Sequence, residues 1–94
     1  NRRQKMNYMI VERFRPGKVK ELYKRFDEKG RLMPEGVTYI NSWIDEKVEV
    51  CFQLMEAESM EKLQAWTDAW SDLCEFEVFP VISSPDAKQK ALSS

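Results

Sequence analysis

Ninety-four residues suffice for one hydrophobic core and leave no room for a second domain. Fifteen basic residues against sixteen acidic ones give a net charge of -1, so no positive field exists to hold nucleic acid or an anionic membrane surface. Hydrophobic residues at 43% argue for a packed globule without a bilayer-spanning run, and the lack of any histidine removes the commonest metal ligand, general base and haem ligand.

Residues 1–6 read as an upstream extension: NRRQK is charged, and no secretory apolar segment follows it. A cytoplasmic setting is expected. The domain proper is placed at residues 7–83. NYMIVERF, from Asn7 to Phe14, is β-rich and stops at RPG, where Pro16 and Gly17 punctuate the chain. Between Lys18 and Lys29, Val19, Leu22, Tyr23 and Phe26 recur at helical spacing among charged residues, and Gly30 suits the C-terminal cap. VTYINSWI, from Val37, is dense in β-branched and aromatic residues and predicts a second strand.

Asp45-Glu46-Lys47 is a short polar break before VEVCFQLM, so the second and third strands are expected to pair as an antiparallel hairpin. Ser59 is a plausible N-cap for a second helix, in which Leu63, Trp66, Trp70 and Leu73 fall on one face. CEFEVFPVI, from Cys74, alternates again, and Pro80 marks an edge strand. The polar residues 84–94 read as a loose tail.

The order βαββαβ predicts an α+β, ferredoxin-like fold: a four-stranded antiparallel sheet of order 4-1-3-2 with both helices on one face. Cys51 and Cys74 then flank the first strand from opposite sides, too far apart for a disulfide, and their spacing fits no redox or zinc motif. Both faces of every strand carry apolar side chains, while two helices cover only one face. A homodimer packed through the other sheet face is the expected partner arrangement.

Four stretches, YMIVERFRPG, GRLMPEGVTYINSW, CFQLME and WSDLCEFEVFPV, make residues 7–82 resemble the dimeric α/β-barrel superfamily, and within it a small bacterial family of unknown function. The resemblance implies a sheet-to-sheet dimer and a cytoplasmic setting. It implies no reaction.

Tyr39, Asn41 and Trp43, two residues apart along one strand, are expected on one face. Some cofactor-independent monooxygenases of that superfamily use Asn, Trp and Tyr around an aromatic substrate, a similarity of residue type alone; a hydrogen-bonded polar residue at an interface explains Asn41 equally. Trp66, one turn from Trp70, reads first as core and second as a wall of a ligand pocket. Glu12 is the candidate acid or base, with Glu75 and Glu77 on the neighbouring strand, against the plainer reading of rim ion pairs. An RNA-recognition module shares this element order, but VEVCFQLM lacks the glycine and interleaved aromatics it needs.

No metal site and no cofactor is expected. The favoured function is binding of a small apolar or aromatic molecule between sheet and helices, lined by Tyr39, Asn41, Trp43 and Trp66. The alternative is a cofactor-independent monooxygenase or isomerase acting on an aromatic or polyketide-like substrate.

Overall fold

In a computed structural model, which describes residues 5–93, four strands and three helices follow in the order β1 (Met6–Phe14), α1 (Val19–Lys29), β2 (Val37–Ile44), β3 (Val50–Ala57), α2 (Met60–Trp70), β4 (Cys74–Val81) and α3 (Ser84–Ser93). The antiparallel sheet has the order β2-β3-β1-β4, the ferredoxin-like arrangement that the sequence predicts, and β4 with its Pro80 is an edge. Residues 1–4 of the expected extension lie outside the described residues, and Met6 already belongs to β1.

Alternation along each strand decides the two faces. Tyr8, Ile10 and Glu12 of β1 point to the helices together with Cys51, Gln53, Met55 and Ala57 of β3, and all seven are buried. The helices close over them with Leu22 of α1 and with Leu63, Trp66 and Trp70 of α2. Ile10, Met55, Leu63 and Leu73 are almost wholly removed from water, each contributing about 1.5–3 kcal/mol of burial. Ser59 caps α2, its hydroxyl accepting from the Lys62 amide at 3.3 Å. Gly30 follows α1 at φ 70°, a conformation only glycine adopts without strain, and its amide donates to the Phe26 carbonyl.

Two local features differ from the sequence reading. The β2–β3 connection runs from Asp45 to Glu49, longer than the expected three residues, because Asp45 Oδ1 accepts from the amides of Glu49 and Val50 at 2.7 and 2.8 Å. This turn leaves Val48 at φ 58°. The expected loose tail is the helix α3: Ser83 caps it through the Asp86 amide, Pro85 fits the first turn, and no residue of the helix is buried. Its polarity reflects a solvated helix, not an unstructured chain.

The opposite sheet face carries apolar rows. Trp43, Phe52 and Val11 lie side by side across β2, β3 and β1, next to a row of Leu54, Met9 and Phe79. Trp43, Phe52 and Phe79 remain 54%, 42% and 48% exposed.

Candidate functional site

The expected grouping of Tyr39 with Asn41 and Trp43 does not form. The β2–β3 register shifts between Tyr39 and Asn41, so that Tyr39 pairs with Met55 while Asn41 pairs with Leu54. The extra residue is Ile40, and it inverts the alternation beyond it. Tyr39 therefore faces the helices, whereas Asn41 and Trp43 face the open side. Trp66 lies in the core beneath α2, on the same side of the sheet as Tyr39 and across it from Asn41 and Trp43.

The bulge brings a different pair together. Tyr39 and Ser42, three residues apart, share the helix-facing side, and their hydroxyls lie 2.7 Å from one another. Beside them a cavity of about 200 Å³ opens between α1 and the sheet. Phe14, Leu22, Tyr23, Phe26, Trp66 and Trp70 form much of its wall, and Glu12, Arg31, Ser42 and Gln53 bring polar groups to it.

Glu12 is the candidate that the structure places in this cavity. At 7% exposure it sits on central strand β1, opposite Cys51 on β3, and the Cys74 thiol donates to its Oε1 at 3.5 Å. Burial pushes its carboxyl up to about 7, a rise only partly offset by the Cys74 hydrogen bond and the positive charge of Arg31. The expected carboxylate neighbours are elsewhere: Glu75 and Glu77 are exposed on the other face, where Glu77 pairs with Arg13. Burial also pushes the Cys51 thiol up to about 12 and raises that of Cys74, so both are protonated, unreactive thiols at neutral pH.

Arg31 was not legible as a site residue. It follows Gly30 in the α1–β2 loop, and its backbone carbonyl accepts from the indole N–H of both Trp66 and Trp70, at 3.1 and 3.0 Å. Its guanidinium carbon lies 3.5 Å from the Tyr39 ring centroid and 5.1 Å from that of Phe26. Rings thus cover the guanidinium, and among the described residues no carboxylate pairs with it. Gln53, 4% exposed, spends its amide on Met55 Sδ at 3.1 Å and accepts from the Cys51 thiol at 3.8 Å. A lone Gln within the apolar run of β3 was the sequence signal for this polar group, beside that of Glu12 on β1.

Among the described residues no group of three His, Cys, Asp or Glu side chains is placed to hold a metal ion. The domain of unknown function DUF3303 matches residues 6–93. The chain belongs to this family. Among solved structures, this DUF3303 protein is similar to a chain from Chloroflexus aurantiacus J-10-fl provisionally assigned as an antibiotic biosynthesis monooxygenase, at 17% identity, 86% of this chain and 96% of that one covered, and a TM-score of 0.49. It is also similar to a nipsnap family protein with unknown function from Agrobacterium tumefaciens str. c58, at 12% identity, with 84% and 90% of the two chains covered and a TM-score of 0.47. No curated protein matches.

Proposed function

We propose that this DUF3303 protein binds a small apolar or aromatic molecule in the cavity between α1 and the sheet, and works as a homodimer in the cytoplasm. The observation that carries the binding reading is the cavity itself: about 200 Å³, walled by aromatic and aliphatic side chains, with a few polar groups converging on it. An engineered apolar cavity of about 150 Å³ holds benzene, so a single ring bearing a short arm suits this one. The dimer reading rests on the apolar rows of the open face, with Trp43 at their edge. The described helices include none long and apolar enough to cross a membrane.

The test is a titration of labelled protein with p-cresol, followed by amide NMR. Shifts confined to Glu12, Phe26, Arg31 and Ser42, and lost when Leu22→Trp fills the cavity, support the reading. An absence of shifts, or shifts unaltered by Leu22→Trp, defeats it. A cofactor-independent enzyme is the second reading. Its support has moved from the Tyr39, Asn41 and Trp43 set, which two faces divide, to the buried carboxyl of Glu12.

A further inference from the structure

Two charged side chains reach the same apolar cavity from different elements, and neither is paired with the other. Glu12 enters from the middle of the sheet, and Arg31 from the loop behind α1. Among the described residues no ion pair forms between them or with any other group, although a buried cation and a buried carboxylate attract strongly when they approach. Arg31 is held in place by its surroundings: its carbonyl is anchored by two indoles, and its guanidinium lies against Tyr39 and Phe26. A guanidinium covered on its faces keeps its in-plane N–H fork for a ligand, a geometry matched to a carboxylate.

Phe14, Leu22, Phe26 and Trp66 supply apolar wall to the same cavity. We propose, resting on the small-molecule reading above, that the ligand is a planar organic acid with an enolisable C–H bond. Its carboxylate pairs with Arg31, its ring lies among those apolar side chains, and Glu12 moves a proton within it.

The reaction is a tautomerisation. The Glu12 carboxylate removes a proton from the carbon next to the ligand's carbonyl; the C–H electron pair becomes the C=C bond, and the carbonyl π pair moves onto oxygen. Glu12, now protonated, gives that proton to the oxygen and returns to its starting state. Nothing is oxidised or reduced, so neither cofactor nor dioxygen enters. A carboxyl held near 7 exists in both forms at neutral pH, as such a relay requires. The other groups facing Glu12 are Cys51 on β3, Cys74 on β4, Tyr23 on α1 and Arg31. The first three are all pushed above their ordinary range, so of these four acids Glu12 is the one that changes charge near neutrality.

Phenylpyruvate, an aromatic keto acid with an acidic CH₂, is the probe, and p-cresol, which lacks the carboxylate, is its control. Binding is read by amide NMR, and enol formation by ultraviolet absorbance against a buffer blank. Arg31→Met is expected to weaken phenylpyruvate at least about tenfold, the loss of a charge-assisted pair, and to weaken p-cresol by a far smaller factor. Glu12→Gln is expected to bind phenylpyruvate about as well as the wild type, to lose roughly a hundredfold or more in tautomerisation rate, and to lose the inflection near pH 7. Equal phenylpyruvate binding by wild type and Arg31→Met would overturn the carboxylate anchor. A wild-type rate no faster than buffer, or a Glu12→Gln rate that is undiminished, would overturn the proton relay. Either result leaves p-cresol binding, and the broader reading, intact; failure of both probes to bind removes both.

Discussion

Trp66 and Trp70, one turn apart on α2, both donate their indole N–H groups to the backbone carbonyl of Arg31, at 3.1 and 3.0 Å. The core helix thereby fixes the loop that carries the only arginine of the cavity wall among the described residues, next to Leu32 at φ 57°. A carbonyl oxygen has two lone pairs, and both are used. Trp66→Phe or Trp70→Phe alone leaves one donor in place and is expected to cost about 1–2 kcal/mol. The double variant strips the acceptor of both, so its cost is expected to exceed the sum of the singles by at least about 0.5 kcal/mol. Urea unfolding of the four proteins measures this; simple additivity would mean that the shared oxygen matters little.

Glu12 makes stability depend on pH in an unusual direction. Its folded-state value, near 7, lies above the ordinary 4.5, so between these limits the folded chain holds a proton that the unfolded chain has released. Stability therefore falls as pH rises through this window, by up to roughly 3 kcal/mol at about 1.4 kcal/mol per unit. The lowered carboxyls of Asp45 and Asp72 contribute in the opposite sense, but at lower pH, below their ordinary 3.8. Denaturant melts at pH 5 and pH 8 are expected to show the wild type more stable at pH 5, with Glu12→Gln flat across the interval and stabilised at pH 8.

The β2–β3 turn stores backbone strain at Val48, a β-branched residue at φ 58° whose side chain is 40% exposed. Little packing is lost by replacing it. Val48→Gly is expected to raise stability by about 1 kcal/mol, with the gain from relieved strain partly offset by the entropy of the more flexible unfolded chain. A fall in the urea midpoint would contradict this.

Gly36 requires the converse. It precedes β2 at φ 86°, and a Cβ there would approach Lys62 Cδ to 2.8 Å. The lysine stem can move, so the dihedral dominates, and Gly36→Ala is expected to cost about 1 kcal/mol or more in thermal or urea unfolding.

On the open face, Trp43→Lys places a charge where the proposed dimer would bury an indole. Light scattering of the wild type at micromolar concentration is expected to give twice the chain mass of 11.2 kDa, and the variant a single chain with an unchanged circular dichroism spectrum. A wild-type mass of one chain would end the dimer proposal.

The sheet was legible because its signals are local and repeated. Strand alternation, the glycine after α1 and Ser59 before α2 each predict an element boundary that the structure keeps. The bulge was not legible, since VTYINSWI reads as an unbroken strand and a register shift depends on what the neighbouring strand pairs with. That one residue divided the candidate aromatic set. The terminal helix could have been read: Ser83, Pro85 and Asp86 form an N-terminal signature, obscured by the lack of an apolar stripe behind it. Glu12 was visible as a carboxylate on a central strand, but its isolation from Glu75 and Glu77 depends on which side of the sheet each takes. Arg31 carried no signal, because its role comes from a carbonyl held by residues more than thirty positions away.

The extra residue in β2 works as a phase shifter: upstream of it the aromatic ring serves the interior, and downstream of it the indole serves the outside. Because Ile40 is the unpaired residue, excising it leaves every other side chain of the strand on its present side, and only the local bend is lost. Adding a residue between Asn41 and Ser42 has the contrary effect, sending the downstream indole inward and the serine hydroxyl outward. Length changes at these adjacent positions thus carry unequal consequences, one silent for the partition of chemistry between the two sides and the other reversing it.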